Sequence, residues 1–151
     1  MKTLRNTRDK AEIVARLRSL SPGSSRRWGK MTVNQMVCHL CDSFRGPMGD
    51  KPLAPAYWPA RGLMKWMALW VPVPWPRNVK TRPEMDPQLE GTPPVSLESD
   101  LHHLLGLLDR FTEQPREFEF RNHPLFGAMS DQEWMRWGYL HMDHHLRQFG
   151  V

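Results

Sequence analysis

Hydrophobic residues recur at helical spacing in four stretches of the chain, separated by polar positions. This pattern predicts helices over residues 7–20, 32–44, 96–113 and 130–148. Two of them begin with a capping box, in which Thr32 pairs with Gln35 and Ser130 pairs with Glu133. Four amphipathic helices predict an all-α fold, a four-helix bundle, with residues 1–151 forming a single domain.

The second and third of these helices are joined by a long connection rich in proline and tryptophan. Eleven of the fourteen prolines lie between Pro47 and Pro94, and proline limits regular structure to short pieces. One short helix is predicted over residues 61–70, because this stretch is apolar on most sides. We interpret the tryptophans as a small core packed under the connection, with a cover over a pocket as the alternative: Trp58, Trp66, Trp70 and Trp75. Exposed, they would also suit a homodimer face.

Composition changes this picture little, and the distribution of charge argues against nucleic acid as a partner. The chain is 40% hydrophobic and 25% charged, as expected for a globular protein. Its net charge of +5 comes from residues 1–30, which hold nine Lys and Arg against two acidic residues, whereas the rest has a net charge of −2. We interpret the basic end as a solvated helix face, with a nucleic-acid-binding patch on the first helix as the alternative. Nucleic acid is therefore not an expected partner.

The expected cellular location of the protein follows from the membrane and secretory segments that the sequence lacks and from its cysteine count. It has no run of about eighteen apolar residues, so no membrane span or membrane partner is expected. The basic N-terminus has no apolar secretory region behind it, and two cysteines cannot build a disulfide framework, so a cytoplasmic location is expected. Cys38 and Cys41 lie well inside a predicted helix. We interpret them as packing residues, with metal ligation as the alternative.

The strongest chemical signal lies in the last predicted helix. At about 100° per residue, one narrow stripe contains Trp134, Trp137, His141, His145 and Gln148. Two imidazoles one turn apart on an inward-facing row need partners for their buried nitrogens, and a divalent metal ion supplies one partner for both. The alternative is a pair of core histidines satisfied by hydrogen bonds. Trp137 and Gln148 are candidates to line the pocket or support the ligands.

A metal site needs at least a third protein ligand, and five further histidines are candidates. His102 and His103 lie off the leucine stripe of their helix and are expected to face solvent. His144 lies near the rim of the histidine row, where it could support a ligand or contact a substrate. His123 lies in a loop that could approach the same helix. The pattern favours His39, in the second helix, without deciding the question.

Common catalytic motifs are absent from the sequence. There is no G-x-S-x-G elbow, P-loop, G-x-G-x-x-G or H-E-x-x-H, and no convincing pair of acid and base carboxylates. No catalytic residue is assigned.

The chain resembles the DinB-like superfamily of metal-binding four-helix bundles, within an uncharacterised branch. The resemblance covers residues 28–42, 96–111, 123–127 and 134–150, the last of which ends in HMDHHLRQFG. It implies that His39 on the second helix joins His141 and His145 on the last helix as metal ligands. It also implies one divalent ion, with zinc the first choice and nickel, iron or manganese as alternatives.

The resemblance implies an activity as well. Relatives in that superfamily include metal-dependent transferases that join a low-molecular-weight thiol to an electrophile. We therefore expect a small-molecule substrate and a thiol-dependent detoxifying transferase that acts through a metal-bound thiolate. Because a fold does not establish a function, an alternative from another class is retained. It is a non-enzymatic, metal-stabilised bundle that binds a small apolar ligand or a protein partner.

Overall fold

The computed structural model describes residues 1–54 and 61–151, and its regular structure is helical. Its five α-helices are α1 (Thr7–Arg18), α2 (Val33–Met48), α3 (Arg61–Trp70), α4 (Leu97–Thr112) and α5 (Asp131–Gln148), with a 3-10 turn at Pro83–Met85. No strand occurs in these two ranges. The all-α prediction is confirmed, and the helix predicted over residues 61–70 brings the count to five. No helix of the described part is long and apolar enough to cross a membrane.

The capping residues explain where the two site-bearing helices begin. Thr32 and Ser130 each accept a hydrogen bond from the N–H three residues on, and the side chains of Gln35 and Glu133 accept from the cap N–H in return. Each cap contributes about 1 kcal/mol by satisfying donors that the first helical turn leaves free. The sequence therefore predicts both starts to within one residue.

The end of α2 differs from the prediction. The expected stop near Phe44 is wrong, because α2 continues through Pro47 to Met48. Proline removes one helical hydrogen bond and crowds the carbonyl four residues back, and α2 extends only one residue beyond Pro47. Gly49 then ends the helix with a left-handed φ of 86°, and its N–H donates to the Gly46 carbonyl at 3.0 Å.

The helices share one buried apolar core. α2 packs against α4 and α5, α1 packs against the same two helices, and α3 contacts α5. The core takes side chains from every helix, among them Leu17, Met36, Leu69, Leu104 and Met142. Full burial of such a side chain stabilises the fold by about 1.5–3 kcal/mol. This packing sets α2 beside α5, which is the arrangement that the site requires.

One buried carboxylate attaches the connection to α2 at two places. Asp42 has no exposed surface and accepts hydrogen bonds from Lys51 Nζ, Thr92 N and Thr92 Oγ1, each at 2.7 Å. Burial by itself would raise the pKa of Asp42, but these hydrogen bonds outweigh it and hold the pKa below its ordinary value. Because Lys51 and Thr92 lie near opposite ends of the connection, Asp42 fixes both ends to one helix.

The tryptophans of the connection do not form a single small core. Trp70 and Trp75 pack against the main core, and Trp75 Nε1 donates to the Ala68 carbonyl at 2.8 Å. Trp66 is 56% exposed, so the packing interpretation is wrong for this residue. Trp66 lies on an exposed face of α3 that it shares with Leu63 and Met67, which are 62% and 52% exposed. Trp58 lies outside the described residues.

Candidate metal centre

Three histidine rings meet where α2 faces α5. His39 Nε2 lies 3.3 Å from His141 Nε2, and one ring nitrogen from each of His39, His141 and His145 falls within 4.8 Å of the others. Two nitrogens bound to one zinc ion at about 2.0–2.1 Å, at the tetrahedral angle, are about 3.4 Å apart. The separation of the His39 and His141 nitrogens therefore matches two positions of one coordination sphere.

The tautomer of His39 follows from the hydrogen bond made by Nδ1, which is the outer nitrogen, the one not directed at His141. His39 Nδ1 lies 2.9 Å from the backbone carbonyl oxygen of Met85, in the 3-10 turn of the connection. A carbonyl oxygen can only accept, so Nδ1 carries the proton and donates it. His39 Nε2 is therefore left with a lone pair, and this nitrogen faces His141. Outer hydrogen bonds of this kind are the usual way in which proteins orient a metal-binding imidazole.

The tautomer of His145 follows from Gln148, one turn further along α5. Gln148 Nε2 donates to the Trp28 carbonyl at 2.9 Å, which fixes the orientation of the amide. Its oxygen therefore faces His145 Nδ1, at 2.9 Å, and must accept a proton from it. As in His39, the Nδ1 position is protonated and the Nε2 lone pair is free.

The loop before α2 has the shape needed to hold Gln148. Gly29 has a φ of 81°, a conformation that other residues rarely adopt. A Cβ at this position would lie 2.5 Å from Gln148 Nε2, well inside van der Waals contact. Glycine is therefore needed here both for the backbone conformation and for the close approach of the amide.

His141 completes the cluster from the middle of the histidine row. Its Nδ1 is buried and has no hydrogen-bond partner among the described residues, so its interaction with the cluster is made through Nε2. Because His39 Nε2 is an acceptor, His141 Nε2 must either donate a proton to it or share a cation with it. The three neutral imidazole nitrogens form a donor set that suits zinc and the neighbouring transition metals.

Burial keeps these rings neutral. It is the main cause that lowers the pKa of His39, and it lowers the pKa values of His141 and His145 well below the ordinary value. Proximity of the other histidines lowers the pKa of His141 further. A protonated imidazole cannot bind a metal, so rings that stay neutral at neutral pH are ready to act as ligands.

The other residues proposed for the pocket lie around this cluster. The ring centroid of Trp137 lies 4.9 Å from that of His141, and the half-buried His144 lies 5.2 Å from His145. His123 is one side chain further away, 5.5 Å from Trp137. Its Nδ1 accepts N–H bonds from Leu125 and Phe126, and burial lowers its pKa to about 3. Neither His123 nor His144 belongs to the three-histidine cluster.

The remaining histidines and cysteines lie elsewhere. His102 and His103 are exposed on α4, as the leucine stripe predicts. Cys38 and Cys41 are both buried and free, and burial raises the pKa of each thiol to about 12. They are therefore protonated at neutral pH, which agrees with their interpretation as packing residues.

Sequence reasoning missed the residues that the connection and the first loop bring to the site. The ring centroid of Trp75 lies 6.0 Å from that of His141, and Met85 contributes its backbone carbonyl to His39. Trp28 contributes a carbonyl to Gln148. A backbone acceptor has no signature in the sequence, so the carbonyls of Met85 and Trp28 could not be recognised from residue type.

The described residues thus form an all-helical protein in which three histidines lie close enough together to bind a metal ion. The chain belongs to the DUF1569 family, described as "Protein of unknown function (DUF1569)", whose family model matches residues 2–150. Comparison with curated proteins and with solved structures found no significant match. The family description assigns no activity, so the function is argued from the site.

Proposed function

We propose that the chain is a metal-dependent enzyme of the DinB-like type, which binds one divalent ion through His39, His141 and His145. The observation that carries this proposal is the protonation pattern of the cluster. The outer nitrogens of His39 and His145 are held as donors by Met85 and Gln148, so both rings keep an Nε2 lone pair for the cluster. A proton on His141 Nε2 could satisfy only one of these two lone pairs, whereas one metal ion would satisfy both.

The helix contacts support a four-helix bundle as the scaffold. α2 contacts α4, α4 contacts α1, α1 contacts α5, and α5 contacts α2, which closes a ring of four helices. α3 and the rest of the connection are additions to this scaffold, and the whole chain acts as one domain. Ligands from facing helices are the usual construction of metal sites in such bundles.

The chemistry we propose is the transfer of a low-molecular-weight thiol to an electrophile. A bound zinc-like ion would hold the thiol as thiolate at neutral pH. Zinc is the metal we favour, with nickel, iron and manganese as alternatives. Met85 and Gln148 orient the ligand rings, and Trp137 and Trp75 limit the access of water. His141 and His145 are only half-buried, which leaves a route for a small molecule.

A small-molecule partner also agrees with the charges of the basic end. Lys10 pairs with Asp109 of α4, and Arg16 pairs with Asp143 of α5, each at 2.7 Å. Lys10 and Arg16 are thus engaged within the protein and are not free to bind nucleic acid. We therefore propose that the basic helix serves packing and solubility.

The test uses protein loaded with zinc or cobalt, a panel of thiols and an alkyl halide. Thiolate sulfur would attack the carbon, form a C–S bond and release halide. We expect turnover that disappears in His145→Ala and persists in the exposed-site control His103→Ala. Failure of every thiol to react or to bind the metal would overturn the proposed chemistry.

One observation favours a second function. Leu63, Trp66 and Met67 of α3 are 62%, 56% and 52% exposed, and such a face suits an apolar ligand, a protein partner or a second copy of the chain. Under this alternative the metal only stabilises the bundle. Its removal would lower the melting temperature, and no thiol would be turned over.

A further inference from the structure

The rim of the three-histidine cluster combines aromatic rings with a cation. The ring of His144 lies 5.7 Å from Trp28 and 6.2 Å from Trp75, and Trp75 also lies 6.0 Å from His141. Arg77, two residues after Trp75, stacks on Trp28 with its guanidinium carbon 4.4 Å from the ring centroid. Trp28, Trp75, Arg77 and His144 thus form a continuous rim beside the ligand rings.

Arg77 is the member of this rim whose hydrogen-bonding capacity is unused. Its side chain is exposed, and within residues 1–54 and 61–151 it forms the contact with Trp28 but no ion pair or hydrogen bond. Stacking on an aromatic face fixes the plane of a guanidinium while its N–H donors stay free. A planar fork of donors held in this way is suited to bidentate binding of a carboxylate.

The charges of the neighbouring segments favour an anion at this rim. Residues 19–35, 71–83 and 144–151 contain seven Lys and Arg and no Asp or Glu. Of the acidic groups close to the site, Asp42 and Asp86 influence His39, and Asp143 is paired with Arg16 and also influences His144. An anionic group that approaches Arg77 therefore meets segments with an excess of positive charge, and no carboxylate of the described residues is paired with Arg77 itself.

We propose that the site takes a carboxylate-bearing ligand, whose carboxylate is bound by Arg77 while its apolar part contacts Trp28 and Trp75 and its other end reaches the metal. This inference rests on the proposed metal centre and specifies the substrate class for it. Arg77 is a specificity-determining residue in this account. It discriminates between an anionic ligand and a neutral ligand of the same length.

The experiment compares two matched series of thiols on cobalt-loaded full-length protein. The ω-mercaptoalkanoates carry a carboxylate, and the ω-mercaptoalkanols of equal chain length carry a hydroxyl. Affinity is read from the thiolate-to-cobalt absorption band, so catalytic turnover is not needed. We expect at least one chain length at which the alkanoate binds about tenfold more tightly than the alkanol.

Two variants locate the source of this preference. Arg77→Gln removes the guanidinium and should reduce the preference to less than about twofold, with the affinity for the alkanol unchanged. Lys80→Gln removes one positive charge from the same exposed segment and should preserve the preference. Equal affinities for the two series in the unmodified protein would overturn the inference, as would a preference that survives Arg77→Gln.

A further pair of ligands distinguishes failure of the carboxylate-binding inference from failure of the proposed thiol chemistry. If no thiol binds the cobalt, the thiol part of the proposed function fails. Acetohydroxamate and succinate monohydroxamate, which bind metals through oxygen and differ by a carboxylate, then make the same comparison. Protein that takes up no cobalt would overturn the metal centre and this inference together.

Discussion

His39 and His141 are 102 residues apart in the sequence, and their Nε2 atoms lie 3.3 Å apart between α2 and α5. The outer nitrogen of His39 is engaged by the Met85 carbonyl, so this ring approaches His141 with a lone pair. Two buried nitrogens at this separation need a proton or a cation between them. A metal ion can satisfy both of them and His145 at once, and this relationship is the basis of our account.

The first prediction concerns Gln148. Gln148→Leu removes the acceptor that holds the proton on His145 Nδ1, so the ring is no longer fixed with its lone pair towards the cluster. Loss of such an outer hydrogen bond lowers metal affinity by about 10–100-fold. Competition titration of zinc against a chromophoric chelator measures the change. Gln148→Glu keeps the acceptor for His145 Nδ1 but loses the N–H donated to the Trp28 carbonyl, so its zinc affinity should lie between those of Gln148→Leu and the unmodified protein. Equal zinc affinities for Gln148→Leu and the unmodified protein would contradict the orienting role.

Gly29 provides a test of the loop that carries this arrangement. Gly29→Ala would place a methyl group 2.5 Å from Gln148 Nε2 at a φ of 81°, so either the amide or the loop must move. We expect about 1–3 kcal/mol of destabilisation, together with weaker zinc binding. The control is Gly23→Ala, where the nearest atom, Ser21 Oγ, is 3.8 Å from the new Cβ. Equal free energies of unfolding and equal zinc affinities in the two variants would show that the close contact with Gln148 has no effect on stability or binding.

Asp42 gives a prediction with a defined pH dependence. Its pKa in the folded protein is below the ordinary value of 3.8, so its contribution to stability is complete above that value and is lost as pH falls through the folded pKa. Asp42→Asn should cost about 3 kcal/mol at pH 7. The difference from the unmodified protein should shrink at acidic pH. Urea unfolding at a series of pH values measures both effects.

A control for Asp42 is available on the surface. Asp109 pairs with Lys10, and its side chain is 74% exposed. Asp109→Asn should change stability by less than about 1 kcal/mol. A loss as large as that of Asp42→Asn would mean that the buried attachment of the connection has no special role.

Two helical glycines test the packing around α5. A Cβ on Gly138 would lie 2.6 Å from Leu4 Cδ1, and Leu4 is only 2% exposed, so Gly138→Ala should destabilise the protein by about 1–2 kcal/mol. Gly106 of α4 has no atom within 4 Å of such a Cβ. Gly106→Ala should therefore stabilise the protein by about 0.5–1 kcal/mol through helix propensity. Thermal unfolding should show shifts of opposite sign, and shifts of the same sign would contradict the packing described for Gly138.

The sequence predicts the elements of this fold better than their ends and connections. The capping boxes at Thr32 and Ser130 mark helix starts because each is a local interaction within four residues. The end of α2 was less predictable, since Pro47 is tolerated there and the helix ends at Gly49 instead. Periodicity also places His141 and His145 one turn apart, because both lie on one helix.

The rest of the site depends on contacts between distant parts of the chain. Met85 reaches His39 because its irregular segment is attached to α2, partly through the hydrogen bonds of Thr92 to Asp42. No spacing rule relates these positions, and a backbone carbonyl has no residue type by which to recognise it. The exposure of Trp66 was missed for a similar reason. An apolar side chain is buried only if the fold brings another element against it, and residue type alone does not show this.

Metal content is the most direct test of the central claim. The full-length protein, purified and loaded with zinc, is assayed for zinc per chain beside His39→Ala, His141→Ala, His145→Ala and the exposed-site control His103→Ala. Circular dichroism of each variant verifies that it is folded. We predict about one zinc per chain in the unmodified protein and in the control, and a loss of affinity in each of the three cluster variants. Folded cluster variants that retain the same zinc content and affinity as the control would contradict the account.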